Sequence, residues 1–489
     1  MGSIAKPRPV GGGGGASSVR LSVTLTASDG ASLSGQTVSV VEKYNGAFQT
    51  SFVYSGQPET IKVPVNYTYI VSASEKQSYA TPAPVEVIAT EDRSVTMTYQ
   101  FGLRYGYRRA KNEADPEARI EYLFDAVGMT PMTVDLASGT PNYGDWEAFI
   151  NEVATPVMLN YDGTEAYELD RDDQTRRADN GEASDISGAS FAGNAMVRFS
   201  KWKWVKRYED ADYEYVIFSD MPIDDSYHAY AHTDESGAVQ DAFYYGMYKG
   251  SYSNTRLRSL ADKGIMAEQT RQVEVARAQA NGGGWDTVYK SAWEYIADLL
   301  TLISKTDNAQ AVFGTGRCKT NNSAALKTGT TRTYGGFWGS ANETSDVKVF
   351  WIEGFWGNTF ESMRGLIADK GDIKVKMTPP YNFTGDGYIS TGKTPSGSSG
   401  GYIDTASVTD EAGFVPYGAS GSAVTYYCDG LYFNISNVGL ALVAGPWERG
   451  GFCGPRCVHM ANAASTTNAN MSTRLSYVPQ TVTAEEVSS

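Results

Sequence analysis

The sequence predicts an α+β protein: a small β-sandwich at the N-terminus, followed by a much larger domain of short strands, long loops and one clear helix. Three observations carry this. Apolar residues alternate with polar ones through the first hundred positions, in short runs separated by turn residues. One later stretch alone shows a sustained 3.6-residue period. The remainder is rich in glycine and aromatic residues, with 51 Gly, 32 Tyr and 9 Trp in 489 residues, a texture of turns and contact surface. A chain this long is expected to hold two or three domains.

Residues 1–17 read as a flexible arm, because the run Gly11 to Gly15 holds no single conformation cheaply. Period two begins at Val19, with Leu21, Val23 and Leu25 on one face. It recurs at Val38 and Val40, at Ile61, Val63 and Val65, at Tyr67, Tyr69 and Val71, and at Val95, Met97 and Tyr99. Asp29-Gly30, Asn45-Gly46, Ser55-Gly56 and the Pro82/Pro84 pair supply the turns. Strands at this spacing predict an immunoglobulin-like or fibronectin-like β-sandwich over 18–101, acting as a spacer.

Beyond Phe101 the texture changes. Residues 102–280 are expected to form the N-terminal part of the large domain or a subdomain inserted in it. Asp170, Asp172, Asp173, Asp179 and Asp185 crowd the stretch 162–185, which reads as a long exposed loop without the ligand spacing of a calcium-binding EF-hand. Trp285, Val288, Ala292, Ile296, Leu299 and Ile303 fall three or four apart, predicting a helix over about 285–305 after Gly282, Gly283 and Gly284. Residues 281–480 complete the large domain, and 481–489 form a tail.

Charge and composition exclude several partners. The net charge of −15 leaves no basic footprint for nucleic acid. No run of about 18 apolar residues offers a membrane span. Residues 1–18 lack the apolar stretch of a secretion signal, which points either to assembly in the cytoplasm or to a sequence whose start has been trimmed. Metal and catalytic constellations are thin. His228 and His232 sit four apart in what reads as a strand, without a third ligand at a suitable spacing. Cys453 and Cys457 read as free thiols, with a disulfide as the alternative if the loop folds back. Glu353 and Glu361 lie among aromatics and are the one pair to weigh for glycoside hydrolysis. No metal, cofactor or catalytic residue is expected.

Two stretches resemble a known pattern. Gly357-Asn358-Thr359-Phe360-Glu361-Ser362, after Trp356, resembles the Gly-Asn-Val-Trp-Glu-Trp signature of the formylglycine-generating-enzyme-like branch of the C-type lectin fold. Leu442-Val443-Ala444-Gly445-Pro446-Trp447 resembles that family's Leu-Arg-Gly-Gly-Ser-Trp. The tail from Arg456 through His459, Asn462, Asn468 and Asn470 to Arg474 is similar to the variable region of proteins diversified by diversity-generating retroelements, as found in phages of gut Bacteroides-type hosts. There an immunoglobulin-like module precedes the lectin-like domain.

The resemblance implies an immunoglobulin-like β-sandwich followed by a large C-type-lectin-like domain with a variable region near 434–477. It implies a receptor-binding tail fibre carried on the virion tail, assembled in the host cytoplasm, that contacts phage tail proteins and a bacterial cell-surface receptor. It also implies a homo-oligomer, with a trimer as the expected form. The expected ligand-binding residues are Leu440, Pro446, Arg449, Phe452, Arg456, Cys457 and His459, on a scaffold of Trp356, Gly357, Asn358 and Trp447. Adenine-directed mutation acts most strongly at Asn codons, so Glu448, Met460 and Met471 are poor candidates for diversified positions. The enzyme branch carries cysteines near its C-terminus, whereas Arg474-Leu475-Ser476-Tyr477 has none, which argues against oxidase chemistry. A bacterial surface adhesin diversified by a retroelement, a polysaccharide-degrading tail enzyme and a purely structural virion protein are the alternatives.

Overall fold

The alternating segments become strands because each can bury one face and leave the other to water. In the computed structural model, β1 (Ser18–Ala27), β2 (Thr37–Glu42), β3 (Gln49–Val53), β4 (Glu59–Pro64), β5 (Thr68–Ala73), β6 (Tyr79–Ala80), β7 (Val85–Ile88) and β8 (Arg93–Phe101) form two four-stranded sheets. Their orders are β4-β1-β8-β6 and β3-β2-β5-β7. The described residues are 17–481 apart from 77, 254, 320–323, 396–399, 435 and 437. The expected arm (save Ser17) and the expected tail (save Thr481) lie outside them. Leu21, Val23, Leu25, Val38, Val40, Val63, Tyr69, Val71, Val95, Met97 and Tyr99 meet in one core. Tyr67 departs from the predicted alternation: it follows Asn66, which turns with φ 70°, and its ring is exposed.

The chain divides into two compact units, residues 1–103 with 222–225, and residues 104–221 with 226–489. Strands make up 40% of the chain and helices 9%, so β-structure dominates the expected α+β mixture. Residues 102–280 are not a separate subdomain. β11 (Ala154–Asn160), β12 (Glu165–Glu168), β13 (Gly193–Phe199) and β16 (Phe243–Gly246) share one antiparallel sheet with β17 (Trp285–Thr287) and β26 (Leu475–Tyr477), in the order β12-β11-β13-β16-β26-β17. A second sheet joins β9 (Arg104–Ala110), β10 (Ile120–Phe124), β14 (Trp204–Glu209) and β15 (Tyr213–Ser219), in the order β10-β9-β15-β14. The largest sheet runs β20 (Ile389–Ser390), β19 (Asp372–Val375), β18 (Phe360–Asp369), β23 (Val438–Ala444), β24 (Gly454–Asn462), β22 (Gly430–Phe433), β21 (Gly400–Tyr402), and β25 (Met471–Ser472) pairs with β18.

The predicted helix starts later than its apolar period suggests. Trp285–Thr287 is a strand, and the helix spans Lys290–Ser304. All fifteen of its residues are buried. Its polar stripe, Lys290, Glu294 and Asp298 at i, i+4 and i+8, therefore faces protein rather than water. Arg207 reaches Glu294 and Asp298 at 2.9 Å each, and Arg456 reaches Asp298 at 2.5 Å. Next to this network, Arg109 lies 2.6 Å from Asp307 and 2.8 Å from Glu214. Buried charges survive only in such mutual company.

The acidic stretch 162–185 is partly ordered rather than a plain exposed loop. Glu165–Glu168 is a strand, Leu169 and Gln174 are buried, and Asp185 accepts backbone N–H bonds from Ala189, Ser190 and Phe191 at 2.7 Å. The expected strand around His228 is a single bridge to Val205, after which Tyr230–His232 is a 3₁₀ turn. His232 is enclosed by Phe243 and Tyr295, and burial pushes its imidazole down to about 3. His228 turns away and pairs with Asp410 at 2.8 Å.

Candidate functional site: an aromatic shelf beside the second signature

The first signature builds a clamp. Gly357 takes φ 78°, and a Cβ there would sit 2.9 Å from the Arg317 backbone and 3.0 Å from Cys318 Sγ, so glycine is required. Asn358 also lies in the left-handed region, at φ 66°. Its Oδ1 accepts the Leu326 N–H at 2.9 Å, and its carbonyl accepts the Trp447 N–H at 3.1 Å. Trp356 is fully enclosed and donates its indole N–H to the Gly314 carbonyl at 3.2 Å. Trp447 is buried too. The two signatures, far apart in sequence, thus meet directly: besides that bond, Gly357 N–H donates to the Ala444 carbonyl at 3.2 Å, and Glu361 and Ser362 stand opposite Val443 and Leu442 in the β18–β23 ladder.

Glu361 and Glu353 are interior groups. Glu361 is held by Lys249 at 2.6 Å and Arg474 at 2.8 Å, which keep its carboxyl below the ordinary carboxylate range despite burial. Glu353 accepts the Gly329 and Thr331 N–H groups at 2.6 and 2.7 Å. Close by, burial and the neighbouring Glu353 charge raise Asp346 to about 7. All four cysteines are free and buried, and Cys453 donates to the Pro446 carbonyl at 3.2 Å. Among the described residues no three metal-ligating side chains converge.

The structure corrects the set of positions expected to face a ligand. Leu440, Pro446, Arg456 and Cys457 are buried. Cys457 packs with Phe360, Leu442 and Met471, and Leu440 lines the narrow crevice beside Arg271 and Glu274. Arg456 is committed to Asp298, and the Pro446 carbonyl accepts from Cys453 Sγ and from the Arg449 N–H. Arg449 is exposed, and Phe452 and His459 are half-buried.

Those three are joined by two tyrosines that the sequence analysis did not select, Tyr402 and Tyr432. Tyr432 and His459 are direct neighbours in the parallel β22–β24 ladder, and Tyr402 stands opposite Gly430 on the next strand. Phe452 stacks on Tyr402 at 4.1 Å with planes 13° apart. Tyr432 lies 5.5 Å from both Phe452 and His459, and the Arg449 guanidinium sits 5.2 Å above the Tyr432 ring. The result is a continuous half-exposed shelf of four rings crowned by a cation. Two glycines make room for it. A Cβ at Gly400 would fall 2.4 Å from the Tyr432 ring, and one at Gly430 would fall 2.7 Å from that of Phe452. The signal for these tyrosines was present in Gly400-Gly401-Tyr402 and Gly430-Leu431-Tyr432, where a bulky ring follows the glycines that seat its neighbours.

The shelf is electrostatically simple. Burial, with Arg449 adding to it, lowers His459 to about 4, so it is neutral at pH 7. Ala461 N–H donates to His459 Nδ1 at 3.4 Å, which leaves the ring proton on Nε2. Exposed Ala463, Ser465, Thr467, Asn468 and Ala469 follow on a loop anchored by Arg271 N–H to the Ala464 carbonyl at 3.0 Å. Crevices nearby are narrow. One lined by Arg271, Glu274, Ser362 and Leu440 has about 10 Å³ of room, and one lined by Trp293, Phe414 and Arg456 about 20 Å³, on the order of a single water.

No protein-family model and no curated protein matches the sequence. Among solved structures, the chain is similar to the Major Tropism Determinant U1 variant at 12% identity over 84% of this chain and 81% of that one, with a TM-score of 0.21. It is similar to a Streptococcal ancillary pilin at 11% identity over 41% of this chain and 58% of the pilin, TM-score 0.17. It is also similar to the Bacillus anthracis TIE protein at 14% identity over 42% of this chain and 31% of that one, TM-score 0.16. The chain thus spans under two thirds of the pilin and of the TIE protein, and the scores are too low to establish a shared fold.

Proposed function

We propose that this chain is a receptor-binding adhesin of a phage tail, and that its aromatic shelf and the adjoining 463–469 loop are the face that meets a bacterial surface ligand. The observation that carries the reading is the shelf itself. Tyr402, Tyr432, Phe452 and His459 are held by a sheet and by their own stacking, with Arg449 exposed above them. Aromatic and arginine side chains on a rigid support are the composition of binding hot spots, because they offer contact area at small entropic cost. The shallow relief suits a macromolecular partner better than a small substrate. Binding is non-covalent, the β-sandwich serves as a spacer toward the tail, and a trimer multiplies weak contacts through avidity.

The test uses fluorescently labelled full-length chain and a panel of gut bacterial isolates. On an isolate that retains the wild-type chain, Arg449→Ala and Phe452→Ala should each reduce adsorption at least tenfold, with the melting profile unchanged. Wild-type adsorption by both variants would remove the shelf from the binding face.

A further inference from the structure

Two of the four buried cysteines share one spot behind the aromatic shelf. The Cys318 carbonyl accepts the Gly450 N–H at 2.6 Å, and the Gly450 carbonyl accepts the Cys453 N–H at 3.1 Å, so a single residue joins the two backbones. Both thiols then occupy space that glycines keep open. A Cβ at Gly357 would fall 3.0 Å from Cys318 Sγ, and one at Gly445 would fall 2.6 Å from Cys453 Sγ. The two glycines are themselves close, since Gly357 N–H donates to the carbonyl of Ala444. Burial first, and then the adjoining Cys318 thiol, raise Cys453 well above the ordinary thiol range. The other two cysteines are engaged elsewhere. Cys457 packs among Phe360, Leu442 and Met471, and Cys428 Sγ donates to the Thr425 carbonyl at 3.8 Å.

We infer that Cys318 and Cys453 are the site of an oxidative cross-link, an intrachain disulfide that fastens the 445–453 loop beneath the shelf. The oxidant is a small-molecule disulfide of the oxidised-glutathione class. One cysteine thiolate attacks it, forms a mixed disulfide and releases one small thiol. The second cysteine attacks the protein sulfur of that mixed disulfide, which forms the Sγ–Sγ bond and releases the second small thiol. Each protein sulfur loses one electron and its proton, and the small disulfide is reduced to two thiols. Both thiols are fully buried and therefore unreactive in the closed chain. Exchange takes place while the loop is open, during folding or local opening, and closure then shields the bond from reductants.

The consequence falls on the shelf, because Arg449 and Phe452 lie within this loop. Gly450–Phe452 is a 3₁₀ turn with no fully buried residue. In the reduced chain the loop is held by Trp447 N–H on the Asn358 carbonyl, by the two Gly450 bonds, and by Gln310 Nε2, which donates to the Gly450 and Cys453 carbonyls. A covalent link to Cys318, remote in sequence, adds a tie that side-chain motion cannot undo and preorganises Arg449 and Phe452. Only this consequence for binding rests on the proposed function; the bond itself does not.

The test refolds the reduced full-length chain from urea in a buffer of oxidised and reduced glutathione, followed by mass spectrometry of the intact chain and its peptides. Wild type and Cys457→Ala should lose about 2 Da and yield a peptide pair joining residues 318 and 453. Cys318→Ala and Cys453→Ala should yield neither. An unchanged mass in wild type, a glutathione adduct in place of the bond, or a link from Cys453 to Cys457 overturns the proposal. The wild-type peptide map decides this even where an alanine variant fails to fold. Amides of 447–452 should exchange at least about tenfold more slowly in the oxidised chain than in the reduced one, and Cys318→Ala treated identically should show no such difference. Equal exchange in both wild-type forms overturns the fastening of the loop. Adsorption is read separately: a chain that carries the bond and the slowed exchange yet adsorbs no better than the reduced chain counts against the shelf as the binding face, and leaves the cross-link standing.

Discussion

Arg456→Ala separates the two ways in which this residue could matter. The guanidinium lies 2.5 Å from Asp298 Oδ1 and 4.8 Å above the Phe414 ring, and the side chain is 3% exposed. Removing one partner of a buried pair costs about 3–5 kcal/mol, because the remaining charge is stranded. Asp298 keeps Arg207 at 2.9 Å, so the expected loss lies at the lower end, about 3 kcal/mol. Unfolding entropy near 2.1 cal/mol/K per residue gives roughly 0.8 kcal/mol/K for the second unit of roughly 380 residues. The melting transition of that unit should therefore fall by about 4 °C, and Arg456→Met, which keeps the stem volume, by roughly half as much. The assay is calorimetry of the full-length chain, paired with cell adsorption measured well below the transition. Adsorption should match wild type. A transition within about 1 °C of wild type, together with a tenfold loss of adsorption, would refute the burial argument and return Arg456 to the ligand face.

Gly400→Ala places a methyl group 2.4 Å from the Tyr432 ring; the ring must swing aside, so adsorption should drop severalfold for a stability loss of about 1–3 kcal/mol, read by urea unfolding. Asn358→Ala removes the acceptor for the Leu326 N–H and leaves an alanine at φ 66°, and should destabilise the second unit by about 2–4 kcal/mol in the same assay. Asp346 has its folded pKa raised to about 7, so the folded state holds a proton that the unfolded chain releases near pH 4. Its contribution to stability is present at acid pH and lost as pH rises from about 4 to about 7, by up to ~1.4 kcal/mol per pH unit. Asp346→Asn should flatten that part of the stability profile relative to wild type, and an unchanged slope would contradict it. His459, lowered to about 4, stays neutral from pH 5.5 to 8, so adsorption should be flat across that range; a midpoint near 6.5 would show a solvated imidazole instead.

Local patterning was legible wherever burial alternates with a fixed period. Val19 through Leu25 and Val95 through Tyr99 announced their strands because one face of each meets the other sheet. Gln49–Val53 and Val85–Ile88 escaped notice, since edge strands bury less and alternate weakly. The 3.6-residue period located the helix but not its setting. An amphipathic pattern implies a wet face, whereas here Arg207 and Arg456 arrive from distant strands to neutralise it.

By itself, then, the sequence determined the sandwich strands, the helix, and the glycine and asparagine of the first signature, whose backbone angles only such residues adopt readily. Tertiary structure alone decided which residues between Leu440 and His459 reach solvent. Sequence proximity made Arg449 and Arg456 equivalent. Sheet pairing sends Arg456 inward to Asp298, 158 positions away, and leaves Arg449 over a tyrosine from another strand. Whether an arginine can touch a ligand depends on what fills the space around it, and in a sheet ordered β18-β23-β24-β22-β21 that space is filled by neighbours remote in sequence.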